Sequence, residues 1–119
     1  PGASMKFQIS SATTTAAITD DILARVHPVP DPYYIRTGTA APEISFVNVP
    51  TGARIRIYST SGVLVRVLDP ATGLGGGTIT WDLRNRANAE VASGVYFYHV
   101  ESEGRSRVGR MTIAYWSAR

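Results

Sequence analysis

Two histidines, His27 and His99, and scattered serines and aspartates are the only groups from which a hydrolytic triad could be assembled. A serine nucleophile needs a base within hydrogen-bond reach and a sharp turn that presents its hydroxyl. No G-x-S-x-G turn occurs, and His99 falls in an alternating run where an imidazole ordinarily packs on a sheet face, so no catalysis is expected. The glycine-rich run Gly73 to Gly77 has no following Lys-Ser/Thr pair and no helix whose amino terminus would hold an anion, and it reads as an inter-strand loop. Asp20, Asp21 and Asp31 lack the alternating acidic spacing of a calcium loop and are expected to cap turns. The chain has no cysteine, which removes disulfides, thiolate metal ligands and a cysteine nucleophile. Neither a metal nor a cofactor is expected.

What remains is the chemistry of contact. Arg54, Arg56, Arg66, Arg84 and Arg86 surround Tyr58 and could form one basic face, against the plainer reading of a solvated sheet surface. Tyr115 and Trp116 are either loose terminal aromatics or part of a contact, the kind of residue that interfaces favour. Phe7 and Ile9 alternate with polar neighbours in a short amino-terminal run. Phe7, Ile9, Arg54, Arg56, Arg66, Tyr115 and Trp116 are therefore the candidate interaction residues. The net charge of +3 comes from eleven arginines and Lys6, scattered rather than massed, so nucleic acid is not an expected partner.

Such residues need a scaffold. At 119 residues, with 44 % hydrophobic and 18 % charged side chains, the chain suits a single folded domain, and it has no apolar run long enough for a membrane span. Residues 1 to 24 read as an extended segment: a possible strand from Lys6 to Ser10, a Ser/Thr/Ala-rich linker, and a brief helical turn from Asp20 to Ala24. Because the first residue is Pro1 rather than methionine, a fragment or processed product is expected, with any export signal upstream. The domain is placed at 25 to 119, its prolines after His27 forcing an extended lead-in.

From Glu43 onward short β-runs alternate with turn signals at the spacing of an all-β sandwich. Strands are predicted at 43–49, 54–59, 63–68, 78–83, 94–101 and 107–115. A two-residue loop in the first hairpin would set Ile57 against Arg66 and mix polar with apolar residues. A three-residue loop, Thr60-Ser61-Gly62, instead pairs Ile57 with Val65 and Ile55 with Val67 and puts Gly62 in a left-handed position. That register sets Arg56 opposite Arg66, a mildly unfavourable like-charge pair. Trp81 should anchor the core. Tyr96, Tyr98 and Val100 form a second core face, with Val95, Phe97 and His99 opposite, as expected of a central strand.

The succession PVPDPYY near Pro28, ISFVNVPTGARIRIYSTSGVLVRVL from Ile44, ITWDLRN from Ile79, VASGVYFYHVE from Val91 and GRMTIA from Gly109 resembles the carboxy-terminal sorting domain of type IX secretion cargo. It is also similar to the immunoglobulin-like domain of the flagellar hook-capping protein. The matching residues are Pro30, Pro32 and Tyr33, then Ile57, Tyr58 and Gly62, Trp81 and Asp82, and Ser93, Gly94, Tyr96 and Tyr98. Asp31 stands where the family usually has asparagine, and Ala89 where it usually has glycine. The first suits a turn, and in the second case Asn88 can take the left-handed conformation instead.

The resemblance implies an immunoglobulin-like antiparallel β-sandwich of about seven strands with an extended amino-terminal segment. It also implies a non-enzymatic module, extracellular or on a bacterial cell surface, recognised by secretion machinery or cell-surface components and used for sorting and attachment. The first alternative is a subunit of an extracellular fibre, with the amino-terminal strand added to the sheet edge of another copy. A carbohydrate-binding module has less support, because Trp81, Tyr96 and Tyr98 are needed in the core.

Overall fold

The computed structural model describes residues 19–69 and 77–117. The predicted strand Lys6 to Ser10, with Phe7 and Ile9, and most of the Gly73 to Gly77 loop lie outside the described residues. The elements are α1 (Asp20–Ala24), β1 (His27–Val29), β2 (Tyr33–Arg36), β3 (Ile44–Val47), β4 (Arg54–Ser59), β5 (Leu64–Leu68), β6 (Ile79–Trp81), β7 (Gly94–Ser102) and β8 (Arg105–Trp116).

Two sheets form a β-sandwich, as the sequence predicts. The smaller has the order β1-β3-β6 and the larger β2-β8-β7-β4-β5, which makes β7 the middle strand, as its two-sided aromatic pattern predicts. All pairings but one are antiparallel. β2 runs parallel to the end of β8, from Tyr33 beside Ile113 to Arg36 beside Trp116.

β1 and β2 come from the proline-rich lead-in, and the described residues hold eight strands where about seven were expected. Pro28 is buried opposite Phe46, on a sheet edge that has no second neighbour to miss its N–H. The bonds preceding Pro30 and Pro32 are both cis. Asp31 lies between those prolines, and its carboxylate accepts the Thr112 N–H at 3.0 Å, tying the start of β2 to β8. Thr19 caps α1 by accepting the Ile22 N–H. Leu23 and Val26 are buried in the core, which therefore takes in the helical turn that the sequence reading placed with the linker.

The core is built by alternation. Ile55 and Ile57 of β4, Tyr96, Tyr98 and Val100 of β7, and Met111 and Ile113 of β8 face Ile44, Phe46, Ile79 and Trp81 of the small sheet. Trp81 is fully buried, with its ring 6.2 Å from that of Tyr96, and Phe46 lies 5.2 Å from Tyr98. Gly94 opens β7 opposite Ile113. Gly109 has a steric reason: a Cβ there would lie 2.3 Å from the Tyr98 ring, which crosses the β8 backbone at that point.

The hairpin expectation holds at its loop and fails beyond it. Gly62, at φ +86°, donates its N–H to Ser59 at 2.9 Å, and Ser59 pairs with Val63, so the three-residue loop is present. A bulge then shifts the register, and Ile57 pairs with Arg66, Arg56 with Val67 and Ile55 with Leu68. The alternation argument rejected this arrangement because it puts an arginine on the core side. It is acceptable because β5 is an edge strand, where a long side chain can leave the apolar layer for polar partners. Arg56 therefore does not face Arg66.

Candidate interaction surface

The register of the large sheet divides the predicted basic face. Arg54 and Arg56 lie on the outer face of β4, with Tyr58. Arg56 donates to Glu101 across the sheet at 2.6 Å, and Arg54 pairs with Asp69 at 3.3 Å. The hydrogen bond with Glu101 holds the Arg56 pKa above its ordinary value, and the same bond holds the Glu101 carboxyl below the usual carboxylate range. Both groups are solvated, so their attraction is screened and contributes little.

Arg66 belongs elsewhere. From the inner side of β5 it reaches the other sheet, donating to the Asp82 carboxylate at 2.9 Å and to the Arg84 carbonyl at 3.0 Å. Two more bonds converge on the same corner: Trp81 Nε1 donates to the Arg84 carbonyl at 3.0 Å, and the Arg84 N–H donates to Asp82 at 3.1 Å. Leu83, fully buried between them, has a left-handed φ of 62°, strain of roughly 1–3 kcal/mol that survives only where neighbours over-determine it. Arg66 thus clips the two sheets together and does not share the outer face of Arg54 and Arg56. Arg84 and Arg86 lie in the loop after β6, where Arg84 donates to the Asn88 carbonyl at 2.7 Å. Asn88 has the left-handed φ of 66° expected beside Ala89.

Tyr115 and Trp116 also separate. Tyr115 points inward, packed against the core, and its buried hydroxyl has no partner among the described residues; burial pushes its pKa up. Trp116 points outward, about half exposed, with the Arg36 guanidinium 5.6 Å from its ring centre. Tyr34, at 66 % exposure, lies beside them on β2, and across β8 and β7 the outer face continues through Arg110, Val95, Phe97 and Val108. The sequence reading missed Tyr34, Val108 and Arg110. The period-two alternation of β8 could have found the last two, but Tyr34 depends on the parallel pairing of a strand that proline content hid.

The two histidines are in different sheets, His27 in β1 and His99 on the outer face of β7. Among the described residues no group of three or more His, Cys, Asp or Glu side chains is placed to hold a metal. No described helix is long and apolar enough to cross a membrane.

No known family matches the sequence, and no curated protein does. Solved structures do. A part of PorZ, an essential bacterial surface component of the type IX secretion system of Porphyromonas gingivalis, overlays with TM-score 0.63 at 23 % identity, over 79 % of this chain and 12 % of that one. Dimeric latent PorU of the same organism overlays with TM-score 0.54 at 23 % identity, over 76 % of this chain and 9 % of that one. The Ig-like domain of human leucine-rich repeat-containing protein 4 overlays with TM-score 0.41 at 14 % identity, over 92 % and 97 %. This chain thus spans about a tenth of the length of the two bacterial proteins.

Proposed function

We propose that this chain is a non-enzymatic module, extracellular or on the bacterial cell surface, that sorts a larger protein through type IX secretion and attaches it outside the cell. One observation carries the reading. The sandwich presents a contiguous outer face of Tyr34, Arg36, Trp116, Val95 and Phe97, an aromatic and arginine composition typical of contact surfaces. The shared fold with part of PorZ supports the secretion context, as do the sequence blocks around Trp81 and Tyr96. The surface of β2 and the end of β8 is the recognised one, and its partner is a component of the secretion machinery or the cell surface. Trp81, Tyr96 and Tyr98 are buried, which leaves them unable to stack on a glycan.

Fusion of the full chain to the carboxy terminus of a periplasm-directed reporter, expressed in a bacterium with a type IX system, tests this. The reporter should reach the medium or cell surface, and Tyr34→Ser with Trp116→Ser should reduce export while leaving the melting temperature unchanged. A fusion that stays in the periplasm would overturn the reading.

A further inference from the structure

We infer that β5 is a register switch, in which a shift of one residue carries Arg66 from the inter-sheet clip to the outer face of the large sheet. The two ends of the hairpin of β4 and β5 specify different registers. At the loop, Tyr58 pairs with Leu64, and an unbroken ladder from there would set Ile57 against Val65, Arg56 against Arg66, Ile55 against Val67 and Arg54 against Leu68. The structure instead holds one extra residue on β5, Val65, after which Ile57 meets Arg66 and Ile55 meets Leu68. The loop is compatible with both registers, because its bonds lie between Ser59 and Val63.

Burial along the two strands shows which of them is weakly held. β4 alternates, with Ile55 and Ile57 buried and Arg54, Arg56 and Tyr58 not. β5 does not: Leu64, Val65, Arg66 and Val67 are all half-buried, and Leu68 alone is buried. Val65 packs against the core even from its place in the bulge. The shift would turn Val65 and Val67 fully inward, opposite Ile57 and Ile55, and would remove the bulge. It would also take Leu68 out of the core, so one apolar side chain replaces another. The deciding groups are polar. In the observed register Arg66 holds the Asp82 carboxylate and the Arg84 carbonyl. In the shifted one it stands opposite Arg56, a like-charge pair beside Glu101. β5 ends the large sheet, so among the described residues only its pairing with β4 has to change. The shifted form joins Arg66 to Arg54, Arg56 and Tyr58 on one face and unclips the corner at Trp81. The switch therefore couples closure of that corner to the charge of the outer face, and it does not depend on the secretion reading.

Disulfide trapping on the full chain tests it, because the sequence has no cysteine of its own. Arg56→Cys with Val67→Cys sets two outward side chains opposite each other in the observed register, whereas Arg56→Cys with Arg66→Cys does so only in the shifted one. In a glutathione buffer the first pair should crosslink, and adding Arg66→Thr to it should slow the reaction about tenfold, since the clip's hydrogen bonds no longer hold the register. The second pair removes both the clip and the like-charge contact, and it should crosslink to completion. Arg56→Cys with Leu64→Cys, opposite in neither register, should stay reduced. Where a cysteine variant does not fold, Arg66→Thr with Leu68→Thr keeps the question open to nuclear Overhauser contacts: Ile55 should touch Val67 in that variant and Leu68 in the parent. A second pair that stays reduced would overturn the inference, as would a first pair indifferent to Arg66→Thr. Crosslinking of the Leu64 pair would overturn it too, because the strand would then fray and not shift.

Discussion

Arginine does opposite work at two ends of the large sheet. At the β5 edge Arg66 is committed to Asp82 and the Arg84 carbonyl, and the corner around Trp81 closes over it. On β8, Arg107 and Arg110 have no ion-pair partner among the described residues. The number of partners makes the difference. Arg66 joins the half-exposed Asp82 carboxylate to the Arg84 carbonyl, so its removal takes two hydrogen bonds at once, whereas removal of Arg107 takes no ion pair among the described residues. A side chain's charge therefore says little about its role until its sheet face and depth are known.

The largest expected effect lies in the closed corner. Trp81→Ala should destabilise the domain by about 3–5 kcal/mol, as emptying a large aromatic site does, with loss of the Arg84 carbonyl's indole donor included. Chemical denaturation would measure it, and a loss under about 1 kcal/mol would mean that the corner is not closed. The next test sets the two arginine environments against each other. Arg66→Met should cost about 1–3 kcal/mol because Asp82 and the Arg84 carbonyl lose a shared donor, while Arg107→Met should stay within about 0.5 kcal/mol. Equal losses would erase the contrast.

A smaller effect is expected on the inner side of β8. Gly109→Ala should cost about 1–2 kcal/mol, since the added Cβ meets the Tyr98 ring and that ring is held against Phe46. Its thermal unfolding midpoint should fall. A silent substitution would show that the ring swings aside freely.

How much of this was legible in the sequence follows from the range over which each signal acts. Trp81, Tyr96 and Tyr98 were placed in the core because alternation in a strand is local and strict. The Gly62 loop was legible for the same reason. The register beyond it was not: a bulge is a one-residue event that reverses every later assignment on β5, and the partner that Arg66 meets on its new face, Asp82, is 16 residues away. β1 and β2 were hidden because proline argues against a strand unless the strand lies on an edge, and edge position is a tertiary fact. Of the candidate interaction residues, Arg54, Arg56 and Trp116 are on the outer face, Arg66 and Tyr115 turn inward, and Phe7 and Ile9 lie outside the described residues.

The smallest effect separates the two regions by pH. Burial raises the pKa values of Tyr96 and Tyr98 in the core and of Tyr115 near the corner; for Tyr96 the hydrogen bond it donates to the Ala92 carbonyl pulls the other way. A phenol raised above its unfolded value favours the protonated fold, so its contribution is complete below the unfolded pKa of about 10 and is lost as pH rises through the folded one. Glu101 has the reverse sign: its folded pKa is lowered, so its contribution is present above the unfolded value and is lost as pH falls through the folded one. Because Glu101 is solvated on the outer face, the acid loss should be slight and should shrink further with added salt. The alkaline loss comes from buried groups and should persist in salt. Tyr115→Phe is the sharpest variant, since the Tyr115 hydroxyl has no partner among the described residues. Urea midpoints for it should match the parent or exceed it slightly at pH 7, with a shallower decline above pH of about 10. A lower midpoint at pH 7 would mean that this hydroxyl is bonded after all, and would move Tyr115 from the packed interior to the polar edge.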